Sequence, residues 1–314
     1  MKKSVIFIIA IFCTTLLFAQ TDYNILKINP DLLKNANVVK RAEHVEIDLT
    51  KLDKVVTRTK VAYTILNSNA DKYAYMSLSY DKLSSINSMS ANLYDAMGVK
   101  IKSSKKCDII DESNTGSANL ADDDRLKWIN FFHKTYPYTV EFEYETTSKY
   151  SMFIPGCYPV YGANMSAQKT RYKIITNSGY VLRHKTTNLS IKPTITDNKT
   201  ATVYLWELPE INAFTGEEYM TPWKNILPSI KVAPSTFYLE GFQGNMSSWK
   251  DFGKFQQQLL TGKDILPEHL KQYVANVAAS SKSQKETINT LFKYIQDNTR
   301  YISIQLGVGG WQPH

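Results

Sequence analysis

The sequence is poor in the residues that bind metals, and the few it has are widely spaced. Its 314 residues include only three cysteines and five histidines. No CxxC, HxxxH or HExxH pattern occurs among them, and these spacings build most zinc sites. The sequence therefore predicts no metal site and no cofactor. The histidines stand far apart in the chain: His44, His133, His184, His269 and His314.

A concentrated basic region is also missing. Lysine and arginine (37) outnumber aspartate and glutamate (29), for a formal net charge of +8, but the densest lysine cluster covers only residues 100–106. A nucleic-acid-binding protein normally presents a basic stripe together with a recognition element. We therefore expect no nucleic-acid partner. The hydrophobic fraction of 43% and the ordinary sequence complexity also exclude disorder and a coiled coil.

Long apolar runs are absent except at the extreme N-terminus. Lys2 and Lys3 precede a largely apolar run at residues 5–18, and Ala19 offers a small residue at a cleavage point. A membrane-spanning helix needs about 20 apolar residues, so this shorter run predicts a signal peptide over residues 1–19. The protein is then exported to the periplasm or the cell surface, without a stable membrane span. An uncleaved anchor and lipidation at Cys13 are the alternatives.

Cleavage of the signal peptide would leave two cysteines, Cys107 and Cys157. In an oxidising compartment the two thiols could form a disulfide, but two cysteines do not make a disulfide framework. Two unpaired structural thiols are the equally open alternative. Both cysteines lie in the part of the sequence that predicts strands.

Residues 40–207 show the period-two alternation of β-strands. Val45, Ile47 and Leu49, for example, alternate with polar residues. Residues 95–98 (Asp-Ala-Met-Gly) predict a hairpin turn, and residues 177–179 (Asn-Ser-Gly) predict a second turn. Many short strands with few helical windows are typical of an antiparallel sandwich. The sequence therefore predicts a mainly β protein with a large antiparallel β-sandwich-type domain over residues 20–245.

Three glutamates alternate along one predicted strand and allow two interpretations. Glu141, Glu143 and Glu145 would share one strand face, where paired carboxylates could serve a glycosidase. A solvated strand face is the simpler interpretation, and we adopt it. The twenty tyrosines allow a sugar- or peptide-binding surface, although tyrosine also suits half-buried strands. His44 and His133 are interpreted as ordinary strand residues.

Residues 246–314 change to a helical pattern. Ser248 predicts a helix N-cap, Gly262 ends that helix, and Pro267 suits the first turn of a second helix. A capping box at residues 283–286 opens a third helix. The apolar stripe of this helix is expected to face a core, formed either by the β domain or by residues beyond this sequence. The stripe consists of Ile288, Leu291, Phe292 and Ile295.

The same segment carries a resemblance to a known family. Residues 292–295 (Phe-Lys-Tyr-Ile), 298–302 (Asn-Thr-Arg-Tyr-Ile) and 310–313 (Gly-Trp-Gln-Pro) resemble the start of a bacterial transglutaminase-like core. The order of segments is similar to that of exported proteins in which an amino-terminal β domain of unknown function precedes this core. The resemblance implies that residues 246–314 begin an α+β transglutaminase-like domain that is incomplete in this sequence.

Members of that family hold a papain-like triad that this sequence lacks. The resemblance implies a Gly-Asp-Cys motif that opens a helix after the Gln-Pro, with a His and an Asp on later strands. The helix N-terminus and the His make the thiolate, which attacks an amide carbonyl. No Gly-Asp-Cys occurs here, so no catalytic residue is transferred. Only Trp311 and Gln312 match a segment that would lie near the active site of a complete member.

Three functional hypotheses follow. The first is an amino-terminal, non-catalytic part of an exported transglutaminase- or cysteine-protease-like protein, inactive on its own. The second is a stand-alone β-sandwich module that binds a cell-envelope glycan or protein. The third is a thiol enzyme built on Cys107 or Cys157 with one of the histidines. We favour the first, and we expect the partner to be a protein or a cell-envelope glycan.

Overall fold

The computed structural model describes residues 22–114, 121–300 and 304–305. Strands make up 40% of the chain and helices 22%, which confirms the predicted mainly β class with a short helical segment after it. The predicted signal peptide at residues 1–19 lies outside the described residues. The same holds for Trp311, Gln312 and His314.

The secondary-structure elements run from residue 25 to residue 305 in the described part of the chain. The strands are β1 Val38–Asp48, β2 Val55–Ile65, β3 Tyr75–Tyr80, β4 Ser84–Tyr94, β5 Lys100–Ser103, β6 Ile110–Ser113, β7 Ala121–Asp122, β8 Arg125–Asn130, β9 Tyr138–Ser148, β10 Met165–Ala167, β11 Thr170–Asn177, β12 Leu182–Thr187, β13 Thr194–Asp197, β14 Ala201–Leu208, β15 Ser229–Pro234, β16 Thr236–Leu239, β17 Phe242–Asn245 and β18 Ile304–Gln305. The helices are α1 Pro30–Leu33, α2 Trp223–Ile226, α3 Trp249–Leu260, α4 Glu268–Ser280 and α5 Gln284–Asn298. Short 3-10 turns cover Ile25–Lys27, Ser68–Ala74 and Lys106–Asp108.

Nine strands form the main sheet. The order across it is β13, β14, β11, β1, β2, β9, β4 and β5, and β10 pairs with the first part of β1. Most neighbours are antiparallel as predicted, but β1 pairs in parallel with both β10 and β11. A parallel pair needs a long crossover, and here the chain between residues 48 and 165 separates the partners. Local alternation in the sequence does not reveal such a distant pairing.

Smaller sheets cover one face of the main sheet. The three-stranded sheet of β3, β8 and β6 contributes Ile129 to an apolar cluster that includes Phe142 of β9. The pair of β12 and β15 contributes Leu182 and Ile230 to a second cluster, which includes Trp206 of β14. Burial of apolar side chains between sheets is the main stabilising contribution in a sandwich. The predicted sandwich-type packing is therefore present.

Both predicted turns form. In the hairpin of β4 and β5, the Gly98 nitrogen donates to the Asp95 oxygen at 3.0 Å, and Gly98 has a φ of 82°. A Cβ at this position would lie 2.7 Å from the Asn24 backbone nitrogen. Glycine is therefore required both by the backbone angle and by the close contact. Gly179 has a φ of 77° in the turn between β11 and β12.

The helices begin where the sequence predicts. The Ser248 hydroxyl accepts from the Asp251 nitrogen at 3.1 Å at the start of α3, and Ser283 caps α5 in the same way. α3 also packs against the β region, because Phe255 contacts Phe237 of β16 with 4.8 Å between ring centroids. This contact crosses the predicted boundary near residue 245. The division into domains at residues 20–245 and 246–314 stays a prediction.

A β-bulge in β1 places an ion pair inside the core. The register with β2 shifts just after Lys40, so that Lys40 lies opposite Tyr63. Glu43 lies opposite Val61, and the two β2 residues face the same side because they are two positions apart. The fully buried Lys40 ammonium donates to Glu43 Oε2 at 2.7 Å and to the Tyr158 carbonyl at 3.1 Å.

We expect Lys40→Met to lower the free energy of unfolding by about 3–5 kcal/mol, because Glu43 would keep a buried charge without its partner. The double variant Lys40→Met/Glu43→Gln should recover a large part of this loss. Urea unfolding curves measure both effects. The matched control is Lys34→Met, which removes an exposed ion pair with Asp31 and should cost about 0.5 kcal/mol or less. Equal effects of the two single variants would contradict the assignment.

Candidate functional site

The two cysteines are free thiols in different surroundings. Cys107 is exposed in a short 3-10 turn, and Cys157 is buried beside β15, where its backbone pairs with Ile230. Of the two alternatives left by the sequence, the structure shows unpaired thiols. Burial raises the pKa of Cys157 to about 12, whereas a catalytic thiol needs a lowered pKa. Cys157 therefore lacks the electrostatics of a nucleophile.

The histidines do not complete a thiol site in the described residues. His184 packs against Trp206 with ring centroids 5.4 Å apart, and His133 packs against Tyr138 at 5.7 Å. Burial, with the nearby cations of Lys169 and Arg171, lowers the pKa of His44. Within the described ranges no group of three or more metal-binding side chains occurs.

The three glutamates of β9 share one face of the main sheet, as predicted, but only two are solvated. Glu143 and Glu145 are at least partly exposed and pair with Lys60 and Arg58. Glu141 is only 5% exposed, so the predicted solvated face is wrong at this position. The reason is a segment at residues 22–28 that packs over this end of the face.

A buried arginine holds that N-terminal segment in place. The Arg41 guanidinium donates to the backbone carbonyls of Asp22, Tyr23 and Asn24 at 3.0–3.2 Å. The Tyr23 hydroxyl in turn donates to Glu141 Oε2 at 2.6 Å. Arg41 is the residue at the bulge of β1, so the same irregularity positions Lys40 inside the core and Arg41 toward the other face. The sequence signal for this network is the unusual charged stretch Lys40–Glu43 within an apolar strand.

The three C-terminal helices expose several large apolar side chains. On α3, Phe255 and Leu259 are buried against Phe237. Trp249, in the first turn of the same helix, is 90% exposed. It lines a groove of about 420 Å³. The other residues of the groove are Met152, Arg183, Met246, Ser247, Ser248 and Phe252.

The stripe on α5 forms at the predicted spacing but does not face a core in the described structure. Ile288 is 66% exposed, Phe292 is 60% exposed and Ile295 is 54% exposed. α5 contacts α4 through Tyr273 and Tyr294, whose ring centroids are 4.5 Å apart. Of the two alternatives left by the sequence, the β domain does not cover this stripe in the described part of the chain, and cover by residues beyond this sequence stays a prediction. Such an apolar surface is suited to bind another protein surface.

No described helix combines the length and the apolar character that crossing a membrane requires. The amphipathic helices α3, α4 and α5 have 12, 13 and 15 residues.

We expect the two thiols to differ strongly in reactivity. Cys107 should react with a thiol reagent such as DTNB at once, whereas Cys157 should react only after unfolding in guanidinium, because it is buried and its pKa is raised to about 12. Counting reactive thiols with and without denaturant, in the wild type and in Cys107→Ala, measures this. A fast-reacting thiol in folded Cys107→Ala would contradict the burial of Cys157.

We expect Glu141 to stabilise the fold in a pH-dependent way. Burial tends to raise its pKa, but hydrogen bonds from Tyr23 and Asn92 and the charge of Lys60 hold the pKa below its ordinary value of 4.5. A lowered pKa contributes stability above the unfolded value, and this is lost as the pH falls through the folded value. Glu141→Gln should therefore cost about 2 kcal/mol at pH 7 and progressively less below about pH 4.5.

Urea unfolding at several pH values checks this prediction. The matched control is Glu143→Gln on the same strand face, where the side chain is 62% exposed. Its unfolding free energy should stay within about 0.5 kcal/mol of the wild type over the same pH range. A Glu141→Gln effect that does not change with pH would show that the charge of Glu141 makes no contribution.

Three solved structures that match this chain are named as peptidases, and of these three the first is similar enough to show a shared fold. A candidate protease from Parabacteroides distasonis matches with a TM-score of 0.62 at 12% identity, over 88% of this chain and 53% of its own. Legionella pneumophila aminopeptidase A matches at a TM-score of 0.30 (13% identity, 70% of this chain, 24% of its own). A variant of an M1 zinc metallopeptidase from Deinococcus radiodurans matches at 0.31 (8% identity, 67% and 46%).

The chain thus spans about half the length of the first of these structural relatives. No curated protein matches the sequence. The model of DUF3857, a domain of unknown function with a solved structure, matches residues 53–215. These residues contain all of the strands from β2 to β14. The match covers more than half of the chain, and the chain therefore belongs to the DUF3857 family.

Proposed function

We propose that this chain is the amino-terminal, non-catalytic part of a longer exported protein with a transglutaminase- or cysteine-protease-like core. The observation that carries the proposal is the exposed apolar stripe of α5. Three large side chains, at Ile288, Phe292 and Ile295, are each more than half exposed on one helix. Burying one such side chain contributes about 1.5–3 kcal/mol, so a covering partner would be strongly stabilising.

The comparisons support the proposed domain organisation but do not bear on a catalytic reaction. The fold is similar to that of a candidate protease of which this chain spans 53%, so the longer protein has room for a further domain. The residues at 292–313 resemble the start of a transglutaminase-like core. In this proposal the stripe of α5 and the groove at Trp249 are covered by the remainder of that core.

The proposal assigns no catalysis to the chain itself. Cys157 is buried with a raised pKa, and Cys107 is exposed on a turn, so neither thiol has the setting of an activated nucleophile. The β region would act as the support on which the catalytic half is built. Export follows from the N-terminal residues 1–19, which have the charged start and apolar run of a signal peptide. The protein would then work in the periplasm or at the cell surface.

The test compares this chain with a longer one that includes the residues encoded after codon 314. We expect Phe292→Ser to change the free energy of unfolding of the short chain by about 0.5 kcal/mol or less. In the longer chain the same change should cost about 3 kcal/mol, because the side chain becomes buried. Urea unfolding measures both values. The matched control, Tyr219→Ser, replaces a fully exposed aromatic residue and should be neutral in both chains.

Hydrogen exchange gives an independent readout of the same prediction. The amides of α5 should exchange more slowly in the longer chain than in the short one, because a buried helix opens less often. Equal exchange rates and equal Phe292→Ser effects in the two chains would overturn the proposal. They would instead favour a stand-alone module whose α5 surface binds a separate protein. The absence of a cysteine-containing domain in the reading frame after codon 314 would overturn it as well.

A further inference from the structure

The three-stranded sheet of β3, β8 and β6 has one face in the core and one toward solvent. Met76 and Leu78 of β3 and Ile129 of β8 pack in the main apolar cluster. The register places Ser77 opposite Trp128, and Trp128 opposite Ile110. Ser77 lies between the core-facing residues Met76 and Leu78, so Ser77 and its partners across the sheet lie on the other face. This second face is the outer face of the sheet.

Two aromatic rings lie next to each other on the outer face. Tyr75 is 41% exposed, and its ring centroid is 5.6 Å from that of Trp128, with an angle of 36° between the ring planes. Ile110 extends the apolar surface beside Trp128 and is 39% exposed. Together the two rings and Ile110 form a shallow platform on the outer face.

A carboxylate fixes the platform before any ligand binds. The Trp128 Nε1–H donates to Glu112 Oε1 at 2.8 Å, across two paired strands. This bond holds the indole in one orientation, so little conformational entropy remains to be lost when a ligand stacks on it. Glu112 is itself exposed, and its carboxylate lies at the border of the platform as a hydrogen-bond acceptor.

The polar groups of the outer face suit a ligand rich in hydroxyl groups. Ser77 lies opposite Trp128, and Asn130 lies opposite Tyr75, so a hydroxyl and an amide accompany the two rings. The nearby cations, Arg125 and Lys127, belong to the opposite face by register, where they pair with Asp111. The outer face therefore offers one carboxylate without a cation, which disfavours phosphate groups and acidic polymers.

We propose that this outer face binds a neutral glycan. A pyranose ring has an apolar face of C–H groups that stacks on aromatic rings, here Tyr75 and Trp128. Its hydroxyls would donate to Glu112 and exchange hydrogen bonds with Ser77 and Asn130. A large protein interface fits less well, because stable protein contacts bury about 800 Å² on each partner and are apolar at their centre. The proposal is independent of the proposed function, since the outer face and α5 are different surfaces.

Titration of the chain with neutral oligosaccharides tests the proposal. The probes are tetramers of N-acetylglucosamine and of glucose, and tetragalacturonate is the acidic comparison; calorimetry or NMR shift changes report binding. We expect saturable binding of at least one neutral tetramer and weaker binding of the acidic one. Tyr75→Ala and Trp128→Ala should each weaken the binding at least tenfold, and Glu112→Gln should weaken it severalfold. The matched control Tyr219→Ala, at a fully exposed tyrosine elsewhere, should leave binding unchanged.

Thermal unfolding of each variant separates lost binding from lost folding. If Trp128→Ala fails to fold, binding by Tyr75→Ala still tests the proposal, because Tyr75 is exposed and contributes little to the core. Three results would overturn the proposal: no saturable binding of either neutral tetramer, an equal loss in Tyr219→Ala, or tighter binding of tetragalacturonate. A dimer in sedimentation experiments that Tyr75→Ala converts to a monomer would also overturn it, since the face would then be an interface between two copies.

Discussion

Burial of one face of the main sheet is the constraint on which the rest of the structure depends. β1 lies inside this sheet, with β2 on one side and β10 and β11 on the other. Its bulge directs both Lys40 and Glu43 into the core. A charge in such a place is tolerated only when it is paired and hydrogen-bonded, and the short contact between the two side chains meets that condition. Small changes of register in β1 would therefore be costly.

The second face of the sheet is buried only in part, because the N-terminal segment covers one end of it. Arg41 holds residues 22–24 through their backbone carbonyls, so this attachment depends little on the side chains of the segment. Under the cover, Glu141 is buried and bonded to Tyr23. Beyond it, Glu145 and Arg58 form an ion pair at the surface. One strand thus carries acidic residues with very different environments.

The C-terminal helices show how a well-formed local pattern can remain without a core. Caps at Ser248 and Ser283 start α3 and α5 through local hydrogen bonds. α3 packs on the hairpin of β16 and β17, whereas the stripe of α5 stays exposed among the described residues. The groove at Trp249 and this stripe are the surfaces that give the proposed function its physical basis.

The sequence by itself determined the local features: the strands and turns of the β region, the helix caps, and the absence of a recognisable catalytic motif. These depend on residues that are close in the chain, such as Asp95 to Gly98. Only the tertiary structure decided that β1 pairs in parallel with β10 and β11, that Glu141 is buried, and that Tyr75 and Trp128 meet on one face. Each of these depends on contacts between distant segments, whose pairing the period of a single strand does not encode.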